Sequence, residues 1–299
     1  MVKDLSIEDI LFALGIYSSL KAVDKYQLYK ELMIEYFEID DQLTNDRTIR
    51  KKLSRKKKAS FFSFLQQVNI QEEMTRYADQ NVHWVHLLSS EYPETLKNIH
   101  VPPVVLFYMG DFELLRQYSW LGVTGTRLYT PYGIQATELI LSDLLLKAKL
   151  HIGIVSGLAR GIETEAHIQT LKNEGKTIAV IGSGLDVYYP YKNRTVQELL
   201  SKDSLVLSEY PLGSKPLRFH FPERNRIIAG LSRGVLIVEA KKRSGSLITA
   251  YNAVDENRDV FAVPGSVFEE NSIGVHRLIQ LGAVLTTNGE DILREWHLI

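Results

Sequence analysis

The dozen residues Lys215-Pro216-Leu217-Arg218-Phe219-His220-Phe221-Pro222-Glu223-Arg224-Asn225-Arg226 carry four bases against one acid, with two phenylalanines set among them. Cations that track phosphates beside rings that stack on bases are what a single-stranded nucleic acid needs. Such stacking contributes ~1–3 kcal/mol per base and tolerates any sequence. Arginine adds bidentate hydrogen bonds to phosphate. The alternative is a solvated face over core phenylalanines. Arg224 and Arg226 could equally pair with carboxylates such as Glu209 or Glu239 and hold a cleft in shape.

A second set of residues suits the same chemistry. Glycine-bearing turns occur at Gly125-Thr126-Arg127, Ser156-Gly157-Leu158-Ala159-Arg160-Gly161, Gly182-Ser183-Gly184 and Ser244-Gly245-Ser246. Glycine lets backbone approach a ligand closely. A helix that follows offers unpaired N–H groups and a positive dipole end, both favouring an anion. Other motifs are weaker. Gly182-Ser183-Gly184 has only the first two glycines of a dinucleotide fingerprint. Gly175-Lys176-Thr177 ends like a phosphate loop but precedes a strand, so it reads as a helix-to-strand connection. No H-E-x-x-H or G-x-S-x-G occurs, and Ser246 has no sequence-visible base to activate it. The eight histidines show no metal spacing, and His167 reads as a packed or capping residue. No catalytic residue, cofactor or metal is expected.

The elements that must position these turns are legible as apolar runs. Val104–Tyr108, Trp120–Val123, Ile152–Val155, Thr177–Ile181, Leu205–Leu207, Val235–Val238 and Val260–Val263 look like buried parallel strands. They alternate with helical segments, which predicts an α/β fold with a doubly wound sheet over residues 83–299. Most of the glycine turns follow these runs, so they should lie together at the carboxyl ends of the strands, where such sheets bind ligands. Residues 1–82 read as a small all-helical domain. Ser6 with Asp9 resembles a capping box, and apolar stripes run through Leu28, Leu32, Met33, Tyr36 and Phe37, and through Phe61, Phe64, Leu65 and Val68. Between the last two stripes, Arg47, Arg50, Lys51, Lys52, Arg55, Lys56, Lys57 and Lys58 face only Asp46. That run is either a solvated helix face or a weak nucleic-acid contact.

Composition sets the outer limits. The 299 residues have a net charge of −1, which excludes a globally basic nucleic-acid binder and leaves only local patches. With no cysteine, a disulfide framework, a thiolate metal site and a cysteine nucleophile are excluded. No run of roughly 18 apolar residues suggests a membrane span. Met1–Asp9 lacks a signal core, so a cytoplasmic protein is expected.

Taken in order, the motifs resemble the DprA (Smf) family of DNA-processing proteins across roughly residues 85–285. They run from Tyr92-Pro93 and Pro103–Asp111 through Gly125-Thr126-Arg127 and Ser156–Ile162 to Ile181–Asp186 with Tyr189-Pro190. They continue through Phe221–Ser232, Val238-Glu239-Ala240, Ser244–Thr249, Arg258–Gly265 and Gly282-Ala283. The resemblance implies an extended Rossmann-like domain preceded by a SAM-like helical domain. It also implies sequence-independent binding of single-stranded DNA, a homodimer, and loading of the RecA recombinase in natural transformation. By the same resemblance Arg127 holds phosphate and Arg218 is the basic residue three positions before a stacking Phe221. Lys192 and Arg194 are also expected as DNA contacts. Glu163 stands where the family usually has Asp, and Gly274-Val275-His276 varies the usual pattern. Ile299 leaves no room for the winged helix that many members carry. A related Rossmann alternative is a LOG-like phosphoribohydrolase acting on a nucleoside monophosphate. The comparable turn, Arg243-Ser244-Gly245-Ser246, lacks that family's glycine motif, and Glu239 is the one tempting carboxylate.

Overall fold

The computed structural model describes residues 5–37, 53–148 and 151–299. Arg47, Arg50, Lys51 and Lys52 of the basic run lie outside the described residues. Four helices come first: α1 (Ile7–Ile16), α2 (Ala22–Phe37), α3 (Arg55–Gln67) and α4 (Ile70–Asp79). The capping box at α1 is present. The Asp9 N–H donates to the Ser6 hydroxyl oxygen at 3.1 Å, and the Ser6 N–H donates to the Asp9 carboxylate at 3.1 Å. Lys57 bonds Asp24 at 2.6 Å and Lys58 pairs with Glu31, so part of the basic run ties α3 to α2.

The remainder is one nine-stranded sheet in the order β1-β2-β6-β5-β4-β3-β7-β8-β9. Its strands are β1 (His83–His86), β2 (Val105–Gly110), β3 (Ser119–Thr124), β4 (Ile152–Ser156), β5 (Thr177–Ile181), β6 (Leu205–Ser208), β7 (Gly234–Ile237), β8 (Asp259–Ala262) and β9 (Val284–Leu285). Between them run α5 (Glu94–Lys97), α6 (Leu114–Gln117), α7 (Pro131–Lys147), α8 (Ile162–Lys172), α9 (Arg194–Asp203), α10 (His220–Leu231), α11 (Gly245–Asp255) and α12 (Ile273–Gln280), with α13 (Gly289–Glu295) last. From β6 across to β9 all neighbours are parallel. The run Val104–Tyr108, expected as a parallel strand, is a correction: β2 pairs antiparallel with both β1 and β6. Its apolar composition reflects burial, and burial does not record strand direction.

Both faces are covered, as a doubly wound sheet requires. Alternation on β7 shows the division: Leu236 joins the core under α7, α8 and α13, while Val235 and Ile237 join the core under α11 and α12. A third, larger core joins β2, β5 and β6 to α10 and to the N-terminal helices, with Phe12, Tyr77 and Phe107 in one cluster. The chain steps from β3 outward through β4, β5 and β6, then returns to place β7 on the other side of β3. That reversal puts the topological switch point between β3 and β7. Loops leaving adjacent strands diverge there to opposite faces and open a crevice.

Candidate nucleic-acid interface

The crevice exists. A groove of about 690 Å³ opens over the loops that follow β3 and β7, closed on one side by the segment leading into α10. Of the residues singled out from sequence, Gly125, Thr126, Arg127, Arg218, Phe221, Arg224, Asn225, Ser244, Gly245 and Ser246 line it. Arg127 and Arg218 are exposed, as is Arg243 on the β7 loop. None of the three is ion-paired among the described residues. The Arg127 guanidinium lies 4.9 Å from the centroid of the Phe221 ring, within cation–π range. Tyr189 adds a second ring 5.6 Å from Phe221. The groove therefore combines unneutralised guanidinium groups with half-exposed aromatic faces.

Beneath this surface lies a supporting layer. Arg224 is 2% exposed and donates to the Val180 carbonyl and, at 3.4 Å, to Glu163. Burial draws its guanidinium below the usual arginine range, and the adjacent Glu163 opposes that shift. Glu163 also accepts the Thr124 hydroxyl at 2.8 Å and the Ala159 N–H at 3.2 Å, so it locks three strand-end segments together. The absence of a side chain at Gly157 makes room for Arg224, because a Cβ there would lie 1.6 Å from its guanidinium nitrogen. Arg226 does not line the groove. It forms a two-point bond with Glu209 at 2.7 and 2.8 Å. Arg224 and Arg226 thus follow the cleft-shaping alternative, with Glu163 and Glu209 as their partners. Glu239 bonds instead to the Thr130 hydroxyl at 2.6 Å and the Thr130 N–H at 3.0 Å, which fastens the start of α7 to the end of β7.

Several turn amides expected to face an anion are engaged within the protein. The Thr126 N–H donates to the Glu239 carbonyl at 2.8 Å, and the Gly184 N–H to the Ser214 carbonyl at 3.0 Å. Ser156 is fully buried with its hydroxyl on the Val123 carbonyl at 2.6 Å, and Ser183 is buried with its hydroxyl on Val187 at 3.2 Å. Gly182 backs the Phe221 ring. Gly161 holds a left-handed φ of +97° at the start of α8. Arg160 is exposed beside it, outside the groove lining. Lys192 and Arg194 also stand outside that lining, exposed at the start of α9, where Arg194 bonds Glu198 at 2.8 Å. Tyr189, Lys241 and Arg243 line the groove without having been expected as DNA contacts. The signal for the last two was present in Lys241-Lys242-Arg243, placed at the end of the β7 run. Lys241 is paired with Glu270. Among the described residues, no group of His, Asp or Glu is arranged to hold a metal ion, and no helix is long and apolar enough to cross a membrane.

Comparisons with known proteins agree with this geometry. The family described as "DNA recombination-mediator protein A" matches residues 83–297. The DNA processing protein DprA of Streptococcus pneumoniae is 51% identical over 211 residues, which cover 71% of this chain and 73% of that protein. Protein Smf of Escherichia coli is 40% identical over 234 residues, covering 78% of this chain and 61% of that protein. The X-ray structure of DprA from Streptococcus pneumoniae superposes with a TM-score of 0.82 at 41% identity, covering 97% of this chain and 99% of that one. A structure of DNA processing protein A from Helicobacter pylori, described for its single-stranded DNA binding mode, superposes with a TM-score of 0.63 at 29% identity, covering 72% of this chain and 95% of that one. An extended Rossmann-like sheet with its switch-point groove, the ordered motifs and these matches lead to one assignment: the chain belongs to the DNA recombination-mediator protein A family, whose members are named DprA and Smf.

Proposed function

We propose that this chain processes DNA by gripping a single strand in the β3–β7 groove without reading its sequence, and that it hands the strand to the RecA recombinase during natural transformation. One observation carries the reading: Arg127 comes from a part of the chain distant from Arg218 and Phe221, yet the three line a single groove, with both guanidinium groups free of carboxylate partners among the described residues. Arginines hold successive phosphates and the rings stack on bases. The Helicobacter pylori relative, described as binding single-stranded DNA, supports the choice of ligand. A groove of this size grips only a few nucleotides. A homodimer placing two such grooves on one strand raises the grip through effective concentration. The RecA step rests on the family resemblance alone.

The chain acts by binding rather than by turnover. Glu239, the carboxylate that a phosphoribohydrolase reading would need, has both oxygens occupied by Thr130. A salt-titrated binding assay with dT oligomers, duplex and mononucleotides tests the proposal. Tight oligo(dT) binding is expected, with log affinity falling by about 0.7 per decade of salt for each phosphate neutralised. Arg127→Ala and Arg218→Ala should each weaken binding across all sequences and flatten that slope by about 0.7. Unchanged binding in both variants, or release of free base from AMP by the purified protein, would overturn the reading.

A further inference from the structure

Behind the ridge formed by residues 215–221 lies a second cleft, of about 570 Å³, between the start of α2 and the segment that follows β6. The ridge serves both hollows. Pro216, Arg218 and Phe221 line the first groove, while Lys215, Leu217 and Phe219 line the second. The helical start of α10 explains the split of the two rings. Two residues apart on a helix is about 200° around its axis, so Phe219 and Phe221 emerge on opposite sides.

The second cleft repeats the chemistry of the first. Phe219 leaves 44% of its surface exposed, whereas Phe12, Phe61, Phe107 and Phe261 are buried. Lys21, from the helical unit, sits 5.7 Å from the Phe219 ring centroid. Tyr210 and His220 stack at 3.8 Å to make a flat aromatic floor. Lys21 and Lys215 are exposed and form no ion pair among the described residues. Lys25 is buried and donates to the Gly15 carbonyl at 2.6 Å, so it adds positive field without offering a contact. The two acids present are already engaged. Glu209 holds Arg226, and Glu223 accepts the Tyr210 hydroxyl at 3.2 Å. Lysines around a half-exposed ring suit a polyanion that carries flat bases.

We propose that a DNA strand held in the β3–β7 groove continues over the 215–221 ridge into this second cleft, stacking a base on Phe219 and resting the flanking phosphates on Lys21 and Lys215. The inference builds on the single-strand reading above and extends the contact surface to the N-terminal helical unit. The occupant is the same strand because the two hollows share one wall. Unpaired cations also stand on both sides of that wall, Arg218 in the first groove and Lys215 and Lys21 in the second.

The test uses the full chain with dT oligomers of about 5 and about 20 nucleotides, bracketing common single-strand site sizes, and with dTMP. Phe219→Ala and Lys21→Glu should leave the short oligomer's affinity unchanged and weaken the long one at least fivefold. Lys21→Ala, a milder change, should shift the long oligomer in the same direction and flatten its salt slope by about 0.7. Arg127→Ala should weaken both lengths. Long-oligomer affinity that is the same in Phe219→Ala, Lys21→Glu and the parent would overturn the extension. So would selective loss of dTMP binding in these variants, which would make the cleft a separate nucleotide site. Persistence of both affinities in Arg127→Ala would instead sink the first groove, so the two readings fail by different results.

Discussion

Arg127 and Phe221 lie almost a hundred positions apart, yet the guanidinium covers the ring at 4.9 Å. Each then orients the other, and a base entering the groove meets a layered surface instead of a lone ring. Arg127→Ala and Phe221→Ala should therefore both weaken oligo(dT) binding, and their losses should not add. A double-mutant cycle on binding free energy should give a coupling of about 0.5–1 kcal/mol; strictly additive losses would show that ring and cation act separately. His167 shows the opposite fate of a titratable group. It is fully buried in α8, with Nδ1 2.7 Å from the Thr177 hydroxyl, and that hydroxyl donates to the Ile154 carbonyl. The ring therefore donates from Nδ1 and leaves Nε2 bare. Burial, with Arg224 adding to it, lowers the His167 pKa to about 3. The unfolded chain takes up this proton near the ordinary value of about 6.5, while the folded chain resists it. The stability due to the neutral ring is thus complete above that value and is lost as pH falls towards 3. Replacement by Asn should flatten the fall of unfolding free energy over this window by close to one proton, as measured by denaturant titration at several pH values. The sequence named the residue types in the groove well. It set Arg224 and Arg226 apart as candidates for carboxylate partners, but it did not point to Glu163 as the partner of Arg224, because that pair joins α8 to α10 across segments remote in the chain.

The groove depends on how three loops are tied together. The loop after β3 is held from two sides: the Thr126 N–H bonds the end of β7, and the Thr126 carbonyl accepts the Ile162 N–H at 3.4 Å. Gly161 makes the second contact possible. At its φ of +97° a Cβ would lie 2.4 Å from the Thr126 carbonyl oxygen. Gly161→Ala should therefore destabilise the protein by about 3 kcal/mol, from the backbone conformation plus displacement of residues 125–128. Its oligo(dT) affinity should fall even under conditions where it remains folded. Chemical denaturation and anisotropy measure the two effects, and a neutral result in both would mean that the loop is not held there. At this scale the sequence was informative where strands are buried on both faces, and the run Thr177–Ile181 coincides with β5. It was silent on β1 and β9. β1 mixes His and Trp with one buried Val, and β9 is two residues long. The direction of β2 was also hidden, since pairing partners and not composition decide it. The engaged amides of Thr126 and Gly184 were illegible for the same reason. A glycine-rich turn announces available N–H groups, but the acceptors that take them come from remote segments.

At the scale of the whole molecule, the seam between the helical unit and the sheet is a continuation of the core. Phe12 of α1 packs edge-on against Tyr77 of α4 at 5.3 Å and Phe107 of β2 at 6.4 Å, and tilted against Trp84 of β1 at 5.1 Å. The Tyr77 hydroxyl oxygen accepts the Leu212 N–H at 2.9 Å, which anchors α4 to the segment after β6 that walls the second cleft. Burial raises the Tyr77 pKa, which favours the neutral hydroxyl at this contact. Apolar side chains shared across a boundary make the two sides lose their packing together. The helices and the sheet should therefore unfold in one transition, with coincident midpoints by tryptophan fluorescence, which samples Trp84 at the seam, and by far-ultraviolet circular dichroism. Phe12→Ala removes the ring that three neighbours share and should cost about 3–5 kcal/mol. Because that loss falls on the seam, it should also separate the midpoints, with the helical unit melting first. Two midpoints in the parent chain would show instead that the units fold independently, and the second cleft would then open and close with their relative motion.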